Sequence, residues 1–374
     1  MDPLSELVGW LDPRGRMDLR CLFGEDWAAP HEAIGPWRAP FHILLRGRCD
    51  LWLPESRTLV PLEEGSLVVL PRGSAHVLRT AGREEEGREG REGQEGQEGR
   101  AIRLRPGELV DLKTNLRQPA KADTDILCGE FEFPGRRRST LLEALPEPMV
   151  IPFAQHPGYG WLEGLVRLMA HEIEQQRPGA AAIVAQLSGT LFTLAVRAYL
   201  ATLPALPASP ALPTSPALPA LPGVLGVLGL MASPRLAPGL QAMLAQPEKA
   251  WTVALLAERC HMSRATFARE FARRAGTGPL ELLTTLRMEL ASRLLARGGQ
   301  DTASVGEAVG YRSEAAFNRA FTRHAGVTPG RFRRALISPP APAGAAAPST
   351  APPAARPPPS ARRPPRGTPP ATRR

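Results

Sequence analysis

One pattern occurs twice in this chain, fifty positions apart, and it limits the possible folds more than any other feature of the sequence. A repeat of this kind is usually one supersecondary unit used twice. The two copies agree in hydroxyl, aromatic, basic, glycine and proline positions. The matched pairs are Ser263 with Ser313, Phe267 with Phe317, Arg269 with Arg319, Phe271 with Phe321, Arg273 with Arg323, Gly276 with Gly326, and Pro279 with Pro329.

Each copy predicts a helix with one buried face and one basic face. Phe267 and Phe271 lie four residues apart, so they share a helix face, while Arg269 and Arg273 fall on another. A serine that suits the N-cap precedes this helix, and Gly276 ends it. The second copy predicts the same helix with the same two faces.

A shorter helix is predicted before each basic helix, at residues 253–259 and roughly 303–309. The small residues Ala257 and Gly306 allow two helix backbones to approach closely. A helix, a tight turn and a capped basic helix form a helix-turn-helix, whose second helix enters the major groove of DNA. Residues 279–296 predict a further helix that connects the two units.

Two segments of this region resemble the AraC family of bacterial transcription regulators. They are Val-Gly-Tyr-Arg-Ser-Glu-Ala-Ala-Phe-Asn-Arg-Ala-Phe at 309–321 and Gly-Val-Thr-Pro-Gly-Arg-Phe-Arg at 326–333. Leu-Arg-Met at 286–288 also matches the connecting helix, although Leu282 stands where the family usually has tyrosine. The resemblance implies an all-α double helix-turn-helix domain at 236–337 that binds double-stranded DNA at specific sequences.

The predicted DNA contacts lie on the two basic helices, whose first residues meet base edges. An arginine there can pair with guanine through two hydrogen bonds. In the family the first unit is often the stronger reader, so we expect Arg269 to contribute more to sequence discrimination than Arg319. The predicted contacts are Ser263, Arg264, Ala265, Thr266, Arg269 and Arg273 in the first unit, and Ser313, Glu314, Ala315, Asn318, Arg319 and Arg323 in the second.

The charge of the chain is unevenly distributed. Residues 247–337 hold 15 Lys and Arg against 8 Asp and Glu, and residues 338–374 hold 6 Arg and no acid, within a net charge of +9. The part before residue 247 is therefore acidic. The basic half contains the helix-turn-helix pair, which favours phosphate binding over a merely solvated basic surface.

Residues 1–135 predict a small all-β domain. From 41 to 53, apolar and polar residues alternate with the two-residue period of a half-buried strand, and Gly47 interrupts the alternation. Short apolar runs punctuated by glycine and proline follow, as expected for a small barrel or jelly roll. The run at 126–133 predicts the last strand.

Residues 65–76 of this domain, Gly-Ser-Leu-Val-Val-Leu-Pro-Arg-Gly-Ser-Ala-His, resemble the second motif of cupin domains, with Ser66 where aspartate is usual. Phe41-His42 and the run Asp-Leu-Arg-Cys at 18–21 fit the same resemblance. It implies the cupin-type sensor barrel that many AraC-family regulators carry.

Metal chemistry in this barrel is not predicted by the sequence. Enzymatic cupins place two histidines one residue apart, and no such pair exists here, because His42 and His76 each stand alone. A metal site needs three or four ligands. We therefore expect no metal, no cofactor and no catalytic residue. His42, Arg46 and His76 are candidates for binding an organic ligand, although structural or surface histidines are an equal alternative.

The remaining segments predict connections. Residues 81–100 have no large apolar residues to bury, and residues 338–374 are Pro, Ala and Arg without a hydrophobic core, so they predict a disordered insert and tail. Residues 201–222 predict a disordered, Pro-rich linker. The segment 136–200 predicts helices at 141–145 and at 161–200 with a break at 177–179, which either pack on their own domain or join two subunits. Residues 236–245 predict a short helix. The fold class is thus multidomain, an all-β cupin-like barrel followed by an all-α double helix-turn-helix domain.

The sequence favours a sequence-specific transcription regulator, not an enzyme, whose barrel binds a small-molecule effector. Two alternatives stay open, a cupin metalloenzyme fused to a DNA-binding module and an architectural DNA-binding protein. The four cysteines lack CxxC spacing, which predicts reduced thiols and a cytoplasmic location. RNA polymerase and a second copy of the chain are candidate partners. A membrane is not, because the most apolar window, 180–200, contains Gln186 and Arg197.

Overall fold

The computed structural model describes residues 1–35, 37–82, 102–134, 139–203 and 226–337. The predicted insert beyond residue 82, the predicted linker beyond residue 203 and the predicted tail lie outside the described residues. We call residues 1–203 the amino-terminal part and residues 226–337 the carboxy-terminal part.

The amino-terminal part contains two β-sheets. A seven-stranded sheet has the order β11-β6-β3-β10-β1-β9-β8, and a four-stranded sheet has the order β2-β7-β4-β5. Most neighbouring strands are antiparallel, and β9 lies parallel to β1. The strands are β1 (Arg14–Phe23), β2 (Ala28–His31), β3 (Arg38–Arg46), β4 (Arg48–Leu53), β5 (Thr58–Glu63), β6 (Ser66–Val69), β7 (His76–Thr80), β8 (Arg103–Arg105), β9 (Asp111–Thr114), β10 (Thr124–Glu132) and β11 (Met149–Pro152).

The predicted strand break at Gly47 is confirmed. Gly47 separates β3 from β4 and has a φ of +89°. A side chain there would also approach the carbonyl oxygen of Asp123 to 2.4 Å, so the turn requires glycine. The chain thereby leaves the seven-stranded sheet and enters the four-stranded one.

The central strands β6 and β10 of the seven-stranded sheet are buried on both faces. Val68 and Cys128 face an inner core between the two sheets, whereas Val69 and Leu127 face an outer core. Because both faces are apolar, β6 and β10 appear in the sequence as nearly continuous apolar runs instead of alternating ones.

Helices cover the outer face of that sheet. They are α1 (Pro3–Leu11), α2 (Thr140–Ala144), α3 (Gly160–Gln175) and α4 (Ala180–Thr202). The long helix α4 is apolar enough to cross a membrane by length and composition, with a window of mean hydropathy 1.4. In this fold Leu191, Phe192 and Ala195 of α4 are fully buried and belong to the outer core.

In the amino-terminal part, a strand and a helix differ from the sequence prediction. The run at 126–133 is not the last strand, because β11 follows it and pairs antiparallel with β6. The three residues between Pro148 and Pro152 are too short a run to predict a strand alone. Helix α1 was also not predicted, yet Leu4, Leu7 and Leu11 are buried along one side of it.

The carboxy-terminal part is all helical. Its helices are α5 (Gly226–Met231), α6 (Ala237–Ala245), α7 (Val253–Arg259), α8 (Arg264–Ala275), α9 (Pro279–Arg297), α10 (Thr302–Ala308), α11 (Glu314–Ala325) and α12 (Pro329–Ile337). The two predicted helix-turn-helix units are therefore α7–α8 and α10–α11. The predicted connecting helix is α9.

The connecting helix is shared by two small cores. Leu282 and Leu286 pack in the core of the first unit with Phe267 and Phe271. Further along α9, a different face of the helix is buried and belongs to the core of the second unit. The residues of this face are Met288, Ala291 and Leu295 of α9, packed with Phe317, Phe321 and Phe332. Leu290 and Leu294 of α9 are half-buried and also pack against this second core.

The two parts of the chain share one apolar core. It runs from Phe41 on β3 through Phe192 on α4 to Leu228 on α5 and Phe267 on α8, and all four side chains are fully buried. Helix α5 packs against both α2 and α8, and α1 packs against α6 and α9. The carboxy-terminal part is therefore docked on the amino-terminal part.

Candidate nucleic-acid interface and barrel cavity

Helix α8 is held by its cap and by two phenylalanines. The Ser263 hydroxyl accepts a hydrogen bond from the Thr266 backbone N–H at 3.2 Å, which confirms the predicted N-cap. Gly276 ends the helix in the left-handed conformation with a φ of +71°. Phe267 and Phe271 are fully buried, so the arginine face is turned outward.

Helix α11 repeats this construction. Its cap is Ser313, whose hydroxyl accepts from the Ala316 backbone N–H at 3.2 Å. The predicted close approach of α10 is confirmed at Gly306, where an added Cβ would lie 3.1 Å from the Phe317 ring. The α11 helix ends at Gly326, with a φ of +70°.

The second unit is tied to the first through Arg287 on α9. Its guanidinium donates hydrogen bonds to the carbonyl oxygens of Pro247 at 2.6 Å and Lys249 at 2.8 Å, and it lies over the Tyr311 ring. Gly310, in the turn between α10 and α11, has a φ of +87° and packs against Glu248. These contacts fix the turn of the second unit against the loop that precedes α7.

A cavity of about 270 Å³ lies in the barrel and is lined by strands of both sheets. Its wall contains His31 on β2, His42 on β3 and His76 on β7. The acidic side chains of Asp18, Glu32 and Glu130 also line it, and the rest of the wall is mainly apolar.

The three histidines of the cavity meet one another. His31 and His76 are cross-strand partners, and their rings stack with centroids 4.6 Å apart. His42 approaches from the opposite sheet, and its Nε2 lies 2.8 Å from the Nε2 of His76. The cluster therefore bridges the two sheets.

Comparisons with known proteins agree with this architecture. A cupin family model matches residues 2–201, and a helix-turn-helix domain model matches residues 256–335. The RCS-specific HTH-type transcriptional activator RclR of Escherichia coli is 31% identical over 334 residues, which are 89% of this chain and 97% of the relative. A putative AraC-like transcription regulator of Streptomyces lividans is 29% identical over 89% of this chain and 98% of its own length.

The chain belongs to the AraC-like family of transcription regulators. Among solved structures, it is similar to an AraC-type DNA-binding domain protein from Chromobacterium violaceum, at 26% identity and a TM-score of 0.27 over 28% of this chain and 95% of that one. The matches to the two family models and to these relatives confirm the predicted family, fold class and DNA-binding function. Its relatives are named as regulators and not as enzymes.

Most of the predicted DNA contacts of this AraC-like regulator lie on exposed surface. Arg273 is ion-paired with Glu270 at 2.5 Å, whereas Thr266 and Asn318 are half-buried, and the Oδ1 atom of Asn318 is enclosed with no hydrogen-bond partner among the described residues. The individual contacts stay predictions. The exposed residues are Ser263, Arg264, Ala265, Arg269, Arg273, Ser313, Glu314, Ala315, Arg319 and Arg323.

The predicted ligand residues of the regulator separate into two groups. His42 and His76 line the barrel cavity together, but Arg46 is not among the residues that line it and donates a hydrogen bond to the carbonyl oxygen of Ala122 at 2.6 Å. Arg46 lies four residues beyond His42 on the chain, about 13 Å along the strand. His31 was missed, because its place beside His76 arises from strand pairing.

Burial lowers the pKa of all three cavity histidines. The pKa of His31 falls to about 3 through burial first and then through the charges of His76 and Lys113. Burial is also the main cause that lowers the pKa of His42 and of His76. All three imidazoles are therefore neutral near pH 7, and each keeps one ring nitrogen with a lone pair.

The acidic side of the cavity is balanced by arginines. Glu130 accepts hydrogen bonds from Arg16, at 2.7 Å, and from Arg38. Asp18 is paired with Arg16 at 3.0 Å, and burial raises the pKa of Asp18. A ligand that enters the cavity thus meets neutral imidazoles, two carboxyl groups held by ion pairs, and the carboxyl group of Glu32.

Proposed function

We propose that an effector bound in the barrel cavity controls how this regulator binds its DNA site. The proposal goes beyond the family assignment in naming the cavity as the effector site. The observation that carries it is the position of the cavity on a sheet whose other face packs on the helices. His42 and Cys128 face the cavity side, and their sequence neighbours Phe41 and Leu127 face the outer core.

A change in the cavity has a packed route to the DNA-binding helices. The outer core that contains Phe41 and Leu127 also contains Leu228 on α5 and Phe267 on α8. Close-packed interiors transmit small displacements because they have few voids to absorb them. An effector that moves β3 or β10 would therefore alter the packing of α5 against α2 and α8.

The protein is proposed to act in the bacterial cytoplasm as a dimer that contacts RNA polymerase. Trp161, Leu168 and Ile183 are large apolar side chains of α3 and α4 that stay 40%, 45% and 39% exposed. Their exposure supports a second copy of the chain as the partner that covers these helices. Sedimentation of the full chain, compared with a Leu168→Glu variant, tests this part, and a monomeric wild type would contradict it.

The effector proposal is tested by the affinity of the full chain for a promoter fragment, with and without candidate small molecules. An effector is expected to change that affinity by about 5-fold or more. Leu19 lines the cavity, so Leu19→Trp should fill part of the cavity and abolish the change in DNA affinity. Leu59 is exposed on a strand, so the control variant Leu59→Trp should keep that change. A response that survives Leu19→Trp would move the effector site elsewhere.

The metalloenzyme alternative has one observation in its favour, the meeting of His31, His42 and His76 beside three acidic side chains. The names of the relatives favour regulation instead. The same cavity serves both hypotheses, and the nature of its occupant decides between them.

A further inference from the structure

We propose that His31, His42 and His76 bind one divalent transition-metal ion in the barrel cavity. One coordination position would stay open toward the cavity for a ligand from solution. The metal site itself rests only on the geometry of the cavity. Its role as the effector site rests on the proposed function.

The three side chains already converge on a volume that an ion can occupy. Each offers one ring nitrogen, and these three nitrogens lie within 4.8 Å of one another. Metal–nitrogen bonds of 2.0–2.1 Å in a tetrahedral site place the nitrogens roughly 3.4 Å apart. To bind one ion, the Nε2 atoms of His42 and His76 have to move slightly apart from their 2.8 Å separation, and the nitrogen of His31 has to move toward them. Small rotations of the rings supply these movements.

The hydrogen bonds of two histidines leave their Nε2 lone pairs free to bind a metal. The Nδ1 of His31 lies 3.0 Å from the Ala29 carbonyl oxygen, and the Nδ1 of His76 lies 2.8 Å from the Ser74 carbonyl oxygen. A carbonyl oxygen only accepts, so each Nδ1 must donate its proton and each Nε2 is unprotonated. Metal-binding histidines are typically held in this way, with the other ring nitrogen donating to a carbonyl or carboxylate.

The third histidine completes the set by a tautomer change. Because the Nε2 of His76 is unprotonated, the Nε2 of His42 carries the proton that joins the two rings at 2.8 Å. When a metal binds, that proton moves to the Nδ1 of His42, which lies 3.2 Å from the Cys128 sulfur. The ring stays neutral, and Cys128 acts as a hydrogen-bond partner and not as a metal ligand.

The scaffold of the site is rigid. His42 and His76 are only 3% and 1% exposed, and all three histidines stand on β-strands. His31 and His76 are fixed in register by the pairing of β2 with β7. Strand positions hold ligands more accurately than loops do.

The donor set indicates which ions fit. Three neutral imidazoles suit zinc, copper, nickel, cobalt or ferrous iron, whereas calcium and magnesium prefer oxygen ligands. Three protein ligands with an open position are typical of sites that bind an exogenous ligand. Asp18, Glu32 and Glu130 line the same cavity, and Arg16 and Arg38 offset part of the negative charge of Asp18 and Glu130.

The experiment uses the full chain, without an affinity tag that contains histidine and after treatment with a chelator. Titration with Zn²⁺ by calorimetry and with Co²⁺ by visible absorption should give one ion per chain. His31→Ala should weaken binding at least about 10-fold. His171→Ala, an exposed histidine on α3, is the matched control and should bind as the wild type does. Melting curves establish that each variant is folded.

The outcomes separate the site from its regulatory role. No binding at micromolar ion, or binding that His31→Ala leaves unchanged, would overturn the metal site. An organic effector that regulates a chain with no metal would overturn the site and leave the proposed function standing. A chain that binds the ion at these histidines, with unchanged DNA affinity, would keep the site and overturn its role as the effector site.

Discussion

Thr140 and Glu289 are joined where the barrel part of the regulator meets its connecting helix. The backbone N–H of Thr140 donates to Oε1 of Glu289 at 2.8 Å, and the Thr140 hydroxyl donates to Oε2 at 3.4 Å. Glu289 keeps part of its surface exposed, but its carboxyl group is enclosed. Burial raises the pKa of Glu289 to about 8, despite the two hydrogen bonds from Thr140.

This raised pKa predicts a pH-dependent stability. The folded protein holds a proton that the unfolded chain releases above its ordinary pKa of 4.5. The contribution of Glu289 to the free energy of unfolding is therefore fully present below pH 4.5, falls as the pH rises above 4.5, and is lost once the pH passes 8. Glu289→Gln should flatten this dependence and raise stability near pH 8 by roughly 1–3 kcal/mol. Melting temperatures from pH 5 to 8.5 measure it, with exposed Glu281→Gln as the control.

The two recognition helices should differ in their contribution to specificity. We expect Arg269→Ala to lower specific affinity by roughly 1–3 kcal/mol and Arg319→Ala to lower it less, because the second helix carries the carboxylate of Glu314 near the groove. Binding to the operator and to a scrambled duplex measures the difference. Arg177→Ala, between α3 and α4, is the control. Equal losses on both duplexes would make both arginines phosphate contacts.

The shared helix α9 predicts a fixed operator spacing. Its 19 residues span about 28 Å, and the two units at its ends extend the reach toward the roughly 34 Å between successive major-groove entries. One chain should therefore read two short motifs about 10 base pairs apart. Inserting five base pairs between them should abolish specific binding in a gel-shift assay, while inserting ten should weaken it less. Unchanged affinity for the five-base-pair variant would mean that one unit alone enters the groove.

The turn of the second unit should not tolerate a side chain at Gly310. An alanine Cβ would lie 2.5 Å from the carbonyl oxygen of Glu248, at a φ of +87°. We expect Gly310→Ala to destabilise the fold by roughly 1–3 kcal/mol. Gly330→Ala, where a Cβ meets nothing within 4 Å, should leave the melting temperature nearly unchanged.

Lys113 should oppose metal binding in the barrel. Its ammonium charge contributes to lowering the pKa of both His31 and His42. The same charge repels a divalent cation, so Lys113→Met is expected to tighten Co²⁺ binding by about 3- to 10-fold, roughly 1 kcal/mol. Exposed Lys121→Met is the matched control. A weaker or unchanged affinity for Lys113→Met would place the ion away from these two histidines.

The helix-turn-helix units were predictable because their signals are local. Each signal lies within a single helix and its caps. The signals are a serine cap three residues before its N–H donor, two phenylalanines one turn apart, and a glycine that ends the helix. Helix α1 carries the same kind of local signal in Asp2, Pro3 and the leucines that follow, so it too was predictable from the sequence.

The cavity was predictable only in part, because strand pairing is not local. His42 and His76 were candidates for ligand binding from the sequence, and both line the cavity. Nothing near His31 in the sequence indicates that β2 lies beside β7. The sequence predicted no metal because no two histidines stand one residue apart along the chain. The three histidines that meet in the fold come from strands of two different sheets.

Helix α1 opens the sequence, yet it lies against α6 and α9 of the part that binds DNA. The side-chain amide of Gln241 on α6 donates to the carbonyl oxygen of Met1 at 3.3 Å, and Glu6 and Asp12 act electrostatically on Arg293 of α9. A chimaera that joins the barrel of one family member to the DNA-binding helices of another would therefore leave α1 facing a foreign surface. Exchange of DNA-sequence specificity between relatives should succeed only when α1 is exchanged together with helices α5 to α12.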